Sequence, residues 1–149
     1  MLSFPAMEAQ PVDPTAIGML LNRAHRLARA HANDAARPTG IELQHAGVLS
    51  AIRAGGISSQ RELGAALGVD KSTLVRIVDD LEHRNLLRRQ RSPKDRRAYE
   101  IVITEEGERR LAEANELFAE AMTGLLKLFD DEEQRRLHEL LNRFVAQAS

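Results

Sequence analysis

The sequence predicts a mainly helical fold that carries one small β-hairpin. Three observations predict it. First, apolar residues recur at helical spacing over most of the chain. Second, Ile57–Thr104 reads in order as a short helix, a glycine turn, a second helix and a hairpin. Third, that hairpin has a strongly basic tip. Together these describe a winged helix-turn-helix, a module that lays its second helix in the major groove of DNA. The fold class is therefore α+β, with additional helices on either side of the winged segment.

The first helix of the module opens at Ser59, with Glu62 three residues on, the pattern of a capping box. Leu63, Ala66 and Leu67 supply its apolar face, and Gly64 keeps the contact between the two helices small. Gly68 stands where the helix must stop and turn. Val69 anchors the turn, and Asp70 caps the next helix, with Ser72 as the second choice. Leu74, Ile77, Val78 and Leu81 form the buried stripe of that helix. Lys71, Ser72, Thr73 and Arg76 occupy its first two turns on other faces. That end normally meets the bases, and Arg, Thr and Ser are residues that read base edges or phosphates. A solvated face on an ordinary amphipathic helix is the plainer alternative. The hairpin that follows weighs against it.

The hairpin strands are Leu86–Leu87 onward and the alternating run Tyr99, Ile101, Ile103. Ser92 and Pro93 mark the turn. Arg88, Arg89, Arg91, Lys94, Arg96 and Arg97 lie between them, with Asp95 as the sole acid. The whole chain carries a net charge of −1, so this positive charge is local. A local basic patch is the footprint of a phosphate-binding surface. Arg88, Arg91, Lys94, Arg96 and Arg97 are the expected DNA contacts, and Arg96 or Arg97 is placed to enter the minor groove. Asp95 is expected to position a neighbouring Arg by ion pairing.

At this point the chain resembles the MarR family of bacterial transcriptional regulators. The matching stretches are ELGAALGVDKSTLVRIVDDLEHRNLLRR and SPKDRRAYEIVITEEG. Asp95-Arg96-Arg97 followed by an apolar strand and Thr104-Glu105-Glu106-Gly107 is the most specific part. The order of elements fits from about Pro14 to the end. The resemblance implies a homodimer that binds pseudo-palindromic operators, usually as a repressor, with release by a small ligand, often an aromatic acid. It also implies a ligand site between the dimerising helices and the winged region, for which Met19, Arg23, Arg26, His45 and Leu49 are candidates.

The remaining elements follow in order. Residues 1–13 are expected to be a loose arm. A first helix spans 14–32, with Ile17, Leu20, Leu21, Ala24, Leu27 and Ala28 on one face, and a loop follows through Asn33-Asp34 and Arg37-Pro38. Thr39 with Glu42 suggests a second capping box, and that helix ends at Gly55-Gly56. Ile57 is expected to form a short first strand. Thr104 caps a long helix through Phe118 to Phe129, where Gly124 can bend the helix or admit a partner. Asp130 with Glu133 opens the last.

The winged region is thus 39–104, and 14–32 with 104–149 are the expected dimerisation helices of one domain covering 1–149. Those helices hold more apolar residues than a small winged domain can cover. The alternative is that they complete a monomeric core. A two-fold operator requires recognition helices about 34 Å apart, so dimerisation and DNA binding are linked.

Composition excludes several classes. The chain has no cysteine, so disulfides, thiolate metal sites and thiol redox sensing are out. No apolar run approaches the roughly 20 residues that span a bilayer, and no secretory leader is visible. A cytoplasmic protein is expected. The histidines (His25, His31, His45, His83, His138) form no paired metal motif. No metal, no cofactor and no catalytic machinery are expected, since glycine-rich phosphate loops and nucleophile motifs are absent. A regulator without an effector, or an adaptor built on a winged domain, are the competing functions.

Overall fold

The computed structural model describes residues 11–55 and 59–147. Helix α1 (Pro14–Ala36) starts at Asp13, whose carboxylate accepts from Thr15 N, with Pro14 at the first helical position. It runs four residues beyond the expected end and takes in Asn33 and Asp34. The reason is packing. Ala32 and Ala36 are buried against the core, and Asn33 Oδ1 accepts from Leu43 N at 2.8 Å. A 3₁₀ turn (Arg37–Thr39) closes on Gly40, at φ 68°.

Helix α2 (Leu43–Ala54) is capped by Glu42, not Thr39. Glu42 and His45 form a reciprocal capping box. Thr39 is instead a buried turn residue. It donates to Ala36 O at 2.7 Å and accepts from Ile41 N at 3.1 Å. Ile57, expected as a short strand, lies outside the described residues.

Helix α3 (Gln60–Leu67) begins at Ser59, which accepts from Glu62 N, and ends at Gly68 with φ 62°. Leu63 is fully buried, Leu67 half-buried, and Ala66 exposed, so the buried stripe is narrower than the sequence suggested. A methyl group on Gly64 would sit 3.3 Å from Leu74 Cδ2, which fits its expected role as a small contact. Helix α4 (Lys71–His83) buries Leu74, Ile77, Val78 and Leu81 as expected.

Strands β1 (Leu87–Arg91) and β2 (Tyr99–Ile103) pair antiparallel, with Leu87 opposite Ile103, Arg89 opposite Ile101 and Arg91 opposite Tyr99. Helix α5 (Glu105–Leu126) is capped by Thr104, and Gly107 N donates to Thr104 Oγ1 at 3.0 Å. Helix α6 (Asp131–Ala146) opens with the expected Asp130/Glu133 capping box. Gly124 faces open space.

The core gathers α2, α3, α4, the hairpin base and the middle of α5 around Leu49, Leu63, Leu81, Leu86, Leu87 and Leu111. Outside it, α6 buries none of its residues. Leu140, Leu141, Phe144 and Val145 are exposed there, as are Ile17, Met19, Leu20 and Leu27 on α1. No helix among the described residues is long and apolar enough to cross a membrane.

Candidate nucleic-acid interface

Asp70 shapes the start of α4. Its carboxylate accepts from Thr73 N at 2.9 Å and from Ser72 Oγ at 2.7 Å. Hydrogen bonds from Thr73 and Ser72 hold that carboxyl well below the usual carboxylate range. Ser72 is thus partly committed to the cap, while Thr73 is half-buried. Lys71 and Arg76 are exposed, with no hydrogen-bond or ion-pair partner among the described residues.

The wing sorts its basic residues into two groups. Arg89 and Arg91 are held by the protein. Arg89 bridges Asp79 (3.1 Å) and Glu82 on α4. Arg91 donates to Arg96 O at 2.6 Å and stands over the Tyr99 ring, 5.2 Å from its centroid. Arg88, Lys94, Arg96 and Arg97 have side chains without a hydrogen-bond or ion-pair partner among the described residues.

Of these, Lys94, Arg96 and Arg97 share the tip. Arg88 points to the other face of the strand, because successive side chains alternate. There it lines a hollow with Asn85, Thr104, Glu105, Glu106 and Arg109. The structure therefore separates Arg88 from the other candidates.

Asp95 works differently from expectation. No ion pair to a neighbouring Arg forms among the described residues. Asp95 Oδ1 instead accepts from Arg97 N at 2.9 Å, and Asp95 O accepts from Ala98 N at 3.0 Å. A short acidic side chain in a turn readily bonds the backbone two residues on. Asp95 positions Arg97 through its main chain.

Arg61 is a further basic residue of the module, outside the arginine-rich run. It is exposed on α3 and lines a hollow between α3 and α4 with Lys71. Its isolation from the arginine-rich run hid it.

The candidate ligand residues are not brought together. Leu49 is a fully buried core residue. His45 Nδ1 accepts from Glu42 N at 3.1 Å, and its Nε2 lies 3.6 Å from Asp80 on α4. Burial, then the Arg84 cation, lower its pKa, against the opposing pull of Asp80 and Glu42. Both residues therefore serve α2 and its packing. Met19, Arg23 and Arg26 are exposed on α1, where Arg23 and Arg26 border a shallow hollow with Leu20 and Leu27. Among the described residues no group of His, Cys, Asp and Glu is arranged to hold a metal ion.

Comparison with known proteins is consistent along the chain. Residues 39–98, which span α2 to the wing tip, match the model of the MarR family. CouR from Rhodococcus jostii RHA1, solved bound to p-coumaroyl-CoA, is 30% identical, with 91% of this chain and 95% of that chain covered and a TM-score of 0.73. The chain belongs to the MarR family of transcriptional regulators. A second structure, of the transcriptional repressor CouR bound to a 23-mer DNA duplex, is 28% identical, with 86% of this chain and 91% of that chain covered and a TM-score of 0.77. An uncharacterised HTH-type transcriptional regulator of Bacillus subtilis, YwoH, is 29% identical over 127 residues, covering 85% of this chain and 92% of the relative.

Proposed function

We infer that this MarR-family chain acts as a homodimer that binds pseudo-palindromic double-stranded DNA and represses transcription until a small ligand releases it. The observation that carries the DNA reading is the set of unpartnered cations on one module: Lys71 and Arg76 on α4, and Lys94, Arg96 and Arg97 at the wing tip. Cations without partners are the ones free to neutralise phosphates or to pair with guanine. CouR, solved with a DNA duplex and with p-coumaroyl-CoA, supports both halves of this reading.

The homodimer rests on the unpartnered apolar faces of α1 and α6. Large exposed apolar patches mark interaction surfaces. Two copies joined there present two recognition helices to one face of a duplex. The domain assignment follows: winged region 39–104, dimerisation helices at both ends. For the effector, Arg23 and Arg26 beside Leu20 and Leu27 offer cationic and apolar contacts suited to an aromatic acid. Arg23→Ala should then blunt release by such a ligand, and an unchanged response would remove this assignment.

The test of the DNA reading is a binding titration with the region upstream of the chain's own gene, run over a salt series with non-specific competitor. Competitor-resistant binding that falls steeply with salt supports it. No binding at low salt by ligand-free protein overturns it.

A further inference from the structure

We propose that Arg89 is a positioning residue that fixes the wing on the recognition helix and keeps Asp79 from capturing Arg76. This rests on the DNA-binding reading above. Asp79 and Glu82 are three residues apart on α4, so they share a face. Arg89, projecting from β1, pairs with both. Asp79 is also three residues beyond Arg76, near enough for an ion pair along the helix. Yet Asp79 is paired with Arg89, and Arg76 has no partner among the described residues.

One guanidinium therefore has two effects. It ties the base of the wing to α4, which sets the spacing between the wing tip and the helix. It also occupies two carboxylates beside the cations that would meet phosphate. Such exposed pairs contribute little to global stability. Their value here is geometric, because a bidentate planar cation constrains both elements it joins. Lysine, a single point charge, cannot span both acids in the same way.

The register supports the assignment. Arg89 lies opposite Ile101, a buried residue that anchors β2, so the link forms where the wing leaves the core. The next residue on the same strand face, Arg91, is bound to Arg96 O and stands over Tyr99. The held arginines thus lie in a row on one strand face, Arg89 tied to α4 and Arg91 to the tip, with the Lys94, Arg96 and Arg97 side chains unpaired among the described residues.

The experiment compares the wild-type protein with Arg89→Ala, Arg89→Lys and Glu82→Ala. Operator affinity is measured over a salt series, and Tyr99 fluorescence anisotropy without DNA. Tyr99 is the only tyrosine and the chain has no tryptophan, so the signal reports the wing alone. Melting temperature is followed to confirm that each variant folds. Arg89→Ala should weaken binding by about tenfold, a coupling typical of residues in one ion-pair network. The slope of log affinity against log salt should stay the same, whereas loss of one phosphate contact in each protomer of the dimer would lower it by about 1.8. Tyr99 anisotropy should fall, and Arg89→Lys should restore little. Glu82→Ala is the sharpest arm. Removing an acid near DNA should strengthen binding if only net charge matters, and the bracing role predicts weaker binding. A reduced salt slope for Arg89→Ala, or tighter binding by Glu82→Ala, would overturn the proposal in favour of a plain phosphate contact. Unchanged affinity and anisotropy would show that Arg89 braces nothing. Wild-type protein that fails to bind DNA would instead refute the DNA reading, and the anisotropy arm would still decide whether Arg89 holds the wing.

Discussion

Arg91 and Tyr99 face each other across the last register pair of the wing, with the guanidinium 5.2 Å from the ring centroid. An exposed cation–π contact is worth about 0.5–1 kcal/mol. Here it joins the two strand ends that flank the loop carrying Lys94, Arg96 and Arg97. Tyr99→Leu keeps a strand-compatible side chain and removes the ring. Operator affinity should drop by about two- to fivefold, in line with that energy. An equilibrium binding titration checks this, with melting temperature as the control for folding.

Gly107 shows why α5 begins where it does. A methyl group there would lie 2.2 Å from Leu86 O and 2.8 Å from Ile103 Cγ1. Thr104 N donates to that same Leu86 carbonyl at 3.1 Å, and Thr104 Oγ1 donates to Asn85 O at 2.6 Å. The turn between α4 and β1, the end of β2 and the start of α5 thus meet at one backbone junction. Gly107→Ala should destabilise the fold by about 3 kcal/mol, the upper end for overpacking, because backbone cannot move aside as a side chain can. Chemical denaturation of the variant reads this directly. A loss below about 1 kcal/mol would mean that the junction relaxes.

His45 gives stability a pH dependence. Burial and Arg84 lower its pKa in the folded chain, relative to 6.5 when unfolded. As pH falls through that range the unfolded chain binds the proton first, so protonation favours unfolding. The stability linked to a neutral His45 is complete above the unfolded value and declines below it. Protonation at Nδ1 would also cost the bond from Glu42 N. His45→Gln retains an acceptor at that capping position. Melting temperature of the wild type should fall more than that of His45→Gln between pH 8 and pH 5. Parallel curves would contradict the assignment.

The apolar face of α6 predicts an oligomer. Phe144 is 55% exposed and Val145 64%, with Leu140 and Leu141 beside them. Phe144→Asp should shift the protein from dimer toward monomer in sedimentation equilibrium, while the winged core keeps its helical signal. A wild-type protein that sediments as a monomer would defeat the two-fold arrangement.

Much of this organisation was legible in the residues. Caps at Ser59, Asp70, Thr104 and Asp130 announce themselves through a side chain and a fixed offset. The buried stripe of α4 followed from period alone. Long-range partners were not legible. Thr39 reads as a cap by the same offset rule, yet it is drawn into a turn whose carbonyls are held by distant arginines. Arg110 donates to Thr39 O at 3.2 Å, and Arg84 to Gly40 O at 2.8 Å. The division of the wing arginines into braced and free depends on Asp79 and Glu82, 10 and 7 residues away, and on strand alternation. His45 and Leu49 were ligand candidates through the family resemblance alone, and their places, His45 in the cap of α2 and Leu49 in the core, depend on contacts that no local pattern carries.

The most direct measurement of the central claim is an affinity scan with every single base-pair substitution across the bound DNA, for wild type and for Arg76→Ala. If α4 reads DNA as one half of a two-fold pair, the wild-type scan shows two symmetric sensitive positions about one helical turn apart. Arg76→Ala then loses about 1–3 kcal/mol of discrimination at one position in each half-site and keeps the rest. A uniform loss at all sequences would make Arg76 a phosphate contact. A flat wild-type scan would contradict sequence-specific recognition by α4.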